Sequence, residues 1–176
     1  TVSEEATHLF AMDRQTGSQK WSYAAEASII PNSITIAGGR VYLIDRSVID
    51  PAAARRGGKP SAPARLVALD ARTGDVLWTS EEDIVGSMLA ASEAFDVVLM
   101  GSDVKERGTL FSDYPQALAV FRGNDGEKLW GKRVLCKQRP MVVGRTVIAE
   151  GFNLDNSDRN NAVRRHYPSA GDLLTG

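Results

Sequence analysis

The stretch AMDRQTGSQKW, Ala11 to Trp21, is written again as ALDARTGDVLW, Ala68 to Trp78. Both copies read A-x-D-x-x-T-G-x-x-x-W and agree at all five fixed positions. VFRGNDGEKLW, Val120 to Trp130, is a third copy in which Val120 replaces Ala, Arg122 replaces Asp and Asp125 replaces Thr, while Gly126 and Trp130 keep their places. A fourth copy opens at AGDLLTG, Ala170 to Gly176, with Asp172 and Gly176 in position. The copies start at residues 11, 68, 120 and 170, giving periods of 57, 52 and 50 residues. Self-similarity at such periods marks a repeat architecture in which each unit stacks on its neighbours.

Each copy has a physical reading. HLFAMD and RLVALD are short apolar runs of strand type. RQTG and ARTG follow as turns, where Asp13 and Asp70 accept bonds from the amides ahead of them and Gly17 and Gly74 supply a positive φ. A second short strand then closes on Trp21 or Trp78. The indole has a large apolar body to bury and one N–H to satisfy. Trp21, Trp78 and Trp130 are therefore read as plugs between adjacent sheets, with stacking on a ligand as the alternative. The remaining strands fall near Ser33–Ala37, Arg40–Asp45 and Arg65–Asp70, then in GSMLAAS, FDVVLMG and ALAVF, then in RPMVVG and RTVIAEG. Four strands per period make the chain all-β, a propeller of four-stranded antiparallel blades. A closed propeller has about 4–8 blades. Residues 1–176 hold roughly three and a half, so the chain is expected to be a partial propeller, completed by further blades from the same or another chain.

A-x-D-x-x-T-G-x-x-x-W resembles the tryptophan-docking motif of the pyrroloquinoline-quinone (PQQ)-type propeller repeat. That repeat occurs in quinoprotein alcohol dehydrogenases, and also in non-enzymatic relatives such as the propeller lipoprotein of the bacterial outer-membrane β-barrel assembly machinery. The resemblance implies a fold and leaves function open, because fold does not imply function. It also implies a periplasmic or extracellular location. The dehydrogenases seat PQQ with calcium on a Glu and an Asn, use an Asp as base, and commonly place a vicinal Cys-Cys pair over the cofactor. This chain has one cysteine, Cys136, so it cannot form that pair.

Loop lengths separate two faces. The turns between first and second strands are short (AGGR, EAFD, VGR), whereas the second-to-third connections are long: 46–64, 102–116 and 152–170. In a four-stranded meander these long connections share a rim with the links between blades. Binding chemistry favours loops held on a rigid scaffold. Arg55, Arg56, Arg107, Tyr114, Arg164, Arg165 and His166, with Tyr167, are the candidate binding residues. They make this rim locally basic although the net charge is −1. A solvated loop set is the plain alternative.

Other chemistry is sparse. Asn153, Asp155 and Asp158 in FNLDNSD echo the front of a calcium loop but lack its glycine and distal Glu. They are weak candidates, and no metal site is assigned. His8 and His166 have no metal-ligand spacing to a partner. Cys136 follows an apolar run and reads as a small buried residue. AGGR and RRGGKP lack phosphate-loop spacing. No catalytic residue is assigned. The leading expectation is a non-catalytic scaffold binding protein or peptide at its loop-rich rim, without a cofactor. Part of a PQQ- and calcium-dependent dehydrogenase, or a sensor domain of a larger protein, are the alternatives. Nothing in the composition calls for nucleic acid, and no apolar run spans a membrane.

Overall fold

RLVALD carries apolar residues at consecutive positions, so both faces of its strand need cover. The structure, a computed structural model, describes residues 6–46, 63–102, 118–132, 134–136, 138–153 and 167–176. In it that strand is buried on both sides. Val67 and Leu69 face one neighbouring sheet, and Leu66 and Ala68 face the next, all at 0% exposure.

The described strands are β1 (Ala6–Met12), β2 (Gln19–Ile29), β3 (Thr35–Ala37), β4 (Arg40–Asp45), β5 (Arg65–Asp70), β6 (Val76–Ser80), β7 (Met88–Ser92), β8 (Val97–Gly101), β9 (Leu118–Arg122), β10 (Lys128–Lys132), β11 (Val134–Cys136), β12 (Met141–Val143), β13 (Thr146–Asn153) and β14 (Tyr167–Asp172). All pairings are antiparallel. The β1–β2 hairpin is followed by a first blade of β3–β4–β5–β6 and a second of β7–β8–β9–β10. A third is built on β13, with β11 and β12 along one edge and β14 along the other. The fold is thus all-β with four-stranded antiparallel blades, as the repeat implies. Three apolar clusters fill the seams: Ile29, Val41, Leu43, Val67 and Leu69 under the hairpin; Tyr42, Leu66, Leu89, Met100 and Phe121 between the first and second blades; Leu99, Leu118, Val120, Cys136, Val147 and Leu173 between the second and third. Each fully buried aliphatic side chain contributes roughly 1.5–3 kcal/mol.

The short turns and the motif turns share one face. Gly38 and Gly39 both have positive φ (56° and 71°), as a tight two-residue hairpin demands. Ala71 N–H donates to Gly39 C=O at 2.9 Å, Gly123 N–H to Asp96 C=O at 2.7 Å, and Leu173 N–H to Arg145 C=O at 2.7 Å. The opposite strand ends, Asp45 with Arg65 and Gly101 with Leu118, are paired neighbours, so the long connections leave from the other rim.

The structure corrects several details. The tryptophan does not close its strand: β2 runs on from Trp21 to Ile29, and β6 and β10 each continue two residues past theirs. β2 continues because it crosses from the hairpin into the first blade, where Ile29 pairs with Asp45. Ser33 belongs to a 3-10 turn, Pro31–Ser33, because its Oγ donates to Ile30 C=O at 2.7 Å, and strand pairing starts at Thr35. β11 was not anticipated; its VLC segment pairs with Gly151–Asn153 of β13. The third long connection is also shorter than 152–170. Residues 152 and 153 extend β13, and Tyr167 through Ala170 lie in β14, where Tyr167 pairs with Gly151.

Candidate functional site

The motif turn is closed by its own side chains. Asp13 Oδ1 accepts the amides of Gln15 (2.9 Å) and Thr16 (3.0 Å) and the Thr16 hydroxyl (3.1 Å). Asp70 Oδ1 accepts Arg72 and Thr73 amides at 2.8 and 2.9 Å. Asp172 Oδ1 accepts Leu174 and Thr175 amides at 3.0 and 2.9 Å and the Thr175 hydroxyl at 3.0 Å. Hydrogen bonds to an ionised carboxylate favour the charged form. The Thr16 amide and Lys20 hold Asp13 well below the carboxylate range, and the Arg72 and Thr73 amides lower Asp70. Partial burial pulls Asp172 upward, but Arg145 and the two amides outweigh it and leave it lowered. The third copy inverts the polarity: Arg122 Nη1 reaches Asp125 Oδ2 at 3.0 Å, and Asp125 Oδ1 accepts the Glu127 amide at 3.0 Å. Glycine completes each turn, its N–H donating to the backbone carbonyl of Asp13, Asp70, Arg122 or Asp172 at 2.8–3.0 Å.

Each tryptophan docks on the turn of the next repeat. Trp21 Nε1–H donates to Ala71 C=O at 3.1 Å, Trp78 Nε1–H to Gly123 C=O at 2.8 Å, and Trp130 Nε1–H to Leu173 C=O at 2.9 Å. The acceptor is always the residue after the motif's Asp position. The indole then lies on the turn glycine. A Cβ on Gly74 would sit 2.7 Å from the Trp21 ring, one on Gly126 2.5 Å from Trp78, and one on Gly176 3.3 Å from Trp130. These glycines thus answer two demands, a positive φ of 80°, 77° and 88° and a close-lying ring. Gly17 has the same conformation, φ 71°, and among the described residues nothing comes within 4 Å of its Cβ position.

Two further polar links hold the layers, and neither was read from the sequence. Arg40 Nη1 bonds Asp96 Oδ1 at 2.6 Å across the turn face of the first and second blades. Near the opposite rim, the buried Asp45 carboxylate accepts the Glu26 and Ala27 amides of β2 (2.8 and 3.0 Å) and Arg65 Nη2 (2.9 Å). Arg65 also reaches Glu26 at 2.5 Å. The signal was an Asp ending the apolar run RVYLID opposite the Arg that opens the next strand.

The rim candidates Arg55, Arg56, Arg107, Tyr114, Arg164, Arg165 and His166 lie outside the described residues, as do Asp155 and Asp158. Asn153 ends β13 opposite Val134. Among the described residues, no group of three or more His, Cys, Asp or Glu side chains is placed to hold a metal ion. Cys136 is buried, and burial pushes its thiol up to about 12. His8 stacks on Phe10 with ring centroids 5.9 Å apart. Asp13 and Asp70 sit on separate hairpins, each committed to its own turn. Among the described residues, no helix is long and apolar enough to cross a membrane.

Comparison with solved structures supports the fold. The chain is similar to BamB from Moraxella catarrhalis, with a TM-score of 0.55 and 17% identity over 95% of this chain and 47% of that one. It is also similar to a europium-containing methanol dehydrogenase, with a TM-score of 0.51 and 17% identity over 89% of this chain and 25% of that one. The chain therefore spans about half or less of the length of these structures. A search of curated proteins returns no significant match. The family model described as outer membrane protein assembly factor BamB matches residues 1–165. With nearly its whole length matched and the repeat geometry in place, the chain belongs to that family.

Proposed function

We propose that this chain is a non-catalytic propeller scaffold that binds protein or peptide partners through its loop-rich rim, in the assembly of outer membrane proteins. The observation that carries the reading is the division of labour between the two faces. On the turn face, side chains and backbone are committed to the Asp turns, the indole docks and the Arg40–Asp96 bridge. The long connections leave the strands at the opposite rim. The family description, an assembly factor rather than an enzyme, supports a partner-binding role. It also supports placement in the bacterial envelope, on its periplasmic side. Arg55, Arg56, Arg107, Arg164 and Arg165 would offer planar donors to carboxylates and backbone carbonyls of a partner, with Tyr114 and His166 adding amphipathic surface. The reading needs no cofactor: each indole has its N–H donated and a face against the next repeat, which supports packing over stacking on a quinone.

Site-specific photo-crosslinking in envelope preparations tests it. Probes at 55, 107 and 165 are expected to capture one recurrent envelope protein. Probes at Arg72 and Asn124 on the turn face are expected to capture none. Equal capture from both faces, or capture only from the turn face, would overturn the assignment.

A further inference from the structure

An outer strand of a blade offers one row of unpaired N–H and C=O groups to any extended chain, and lysine is a common guard of such an edge. Among the described residues, β6 and β10 each end their sheet, and β2 pairs only with β1 from Gln19 to Ala24. β2 carries Lys20, and β10 carries Lys128 and Lys132. β6, VLWTS, carries no charge. Each of the three strands bulges at the residue before its tryptophan, at Lys20, Leu77 and Leu129. Lys20 reaches back to Asp13 at 3.1 Å, and Leu129 packs into the seam between the second and third blades. Leu77 does neither: it is 48% exposed, beside Val76 at 51%. Past the bulge, Trp78, Thr79 and Ser80 pair regularly with Ala68, Val67 and Leu66, so a straight stretch of edge follows the apolar side chain. Three acidic residues come next. Lys128 Nζ holds Asp83 at 2.7 Å and Glu82 at 3.5 Å. Glu81 is exposed, and among the described residues no hydrogen bond or ion pair reaches it.

We infer that the outer edge of β6, from Leu77 to Glu81, is a docking site for an extended segment of a protein partner, uncharged opposite Leu77–Ser80 and bearing a Lys or Arg opposite Glu81. Main-chain bonds to Trp78–Ser80 supply the affinity, as in other strand additions. Leu77 at one end and Glu81 at the other choose the side chains and fix the register, since opposite charges on facing strands attract and like charges repel. The unpaired carboxylate is what calls for a basic occupant. The β6 edge of a second copy does not meet that need, because DVLWTSEED, Asp75 to Asp83, contains no cation to set against Glu81. The site goes beyond the rim reading. It lies on the outer side of the first blade, and it stands or falls independently of the rim crosslinks.

The probe is the capped peptide KVTVTVK, with a lysine at each end so that either strand direction can set one against Glu81. It is titrated to millimolar concentration into the isotope-labelled 176-residue chain while backbone amide shifts are followed by NMR. Saturable shifts along Leu77–Glu81 are expected, with peptide-to-protein backbone contacts at Trp78–Ser80 and none at β10. The acidic peptide EVTVTVE is expected to bind more weakly. Glu81→Gln is expected to weaken KVTVTVK binding about threefold, the worth of one exposed ion pair. Leu77→Lys gives β6 the guard that β2 carries and is expected to abolish the shifts, while unchanged resonances in the second and third blades certify that each variant is folded. No shift with KVTVTVK, equal binding of the two peptides, shifts centred on β10, or full binding by folded Leu77→Lys would each overturn the proposal. Shifts along Leu77–Glu81 on diluting the chain alone would assign the edge to a second copy and overturn it as well.

Discussion

The motif glycines separate two costs that are usually tangled. Among the described residues, a side chain at Gly17 meets no neighbour and only the strain of a positive φ, about 1 kcal/mol for an L residue in that region. At Gly126 the φ is the same kind, but a Cβ would sit 2.5 Å from the Trp78 ring. Gly126→Ala is therefore expected to destabilise the chain at least twice as much as Gly17→Ala in denaturant unfolding. Trp78→Phe keeps most of the apolar body but leaves the Gly123 carbonyl without the indole donor. A loss of about 1 kcal/mol is expected from the missing bond. The aspartates add a pH dependence. Asp13, Asp70 and Asp172 are all held below the ordinary carboxylate value of 3.8. A lowered folded value means their stabilisation is complete above 3.8 and is lost as pH falls through the folded values. Melting temperature is expected to hold between neutral pH and about pH 5, then to fall, and the gap between wild type and Asp70→Asn is expected to narrow in acid. These residues were legible because the chain writes them repeatedly at fixed spacing. Arg122 shows what spacing cannot give: its ion pair with Asp125 closes the turn with a cation where the other copies have Asp and a carboxylate where they have Thr.

At the scale of elements, the strand pattern was readable wherever apolar runs were bounded by turns, as in β4, β5, β8 and β13. It failed at crossings. β2 reads as a short strand ending in tryptophan, yet it continues for eight residues beyond Trp21. Between the pairs His8–Ala24 and Ala6–Ile29, β1 advances two residues while β2 advances five, so β2 bulges. The amides freed at Glu26 and Ala27 are taken up by the Asp45 carboxylate, which is distant in sequence. No local pattern announces such a partner. Asp45→Ala strips the Glu26 and Ala27 amides of their acceptor, at a cost of about 1–3 kcal/mol for each buried donor left unpaired, while Arg65 keeps its ion pair with Glu26. Hydrogen exchange is expected to speed up first at Glu26 and Ala27. A uniform loss of protection across all blades would show instead that Asp45 does not act on the crossing.

For the whole molecule, the repeat period determined the architecture and the asymmetry of loop length pointed to a working rim. The rim's own chemistry was not legible to the same degree. Basic residues in long connections lack the fixed spacing that made the docks readable, and a solvated loop carries the same residue types. Indoles docked on glycine turns hold successive layers in register. The most direct measurement is hydrogen–deuterium exchange of the three indole Nε1–H groups by NMR, in wild type and in Gly126→Ala. All three are expected to be protected in the wild type, with protection lost selectively at Trp78 in the variant. Fast exchange of the wild-type indoles, or equal loss at all three on changing Gly126, would contradict the claim.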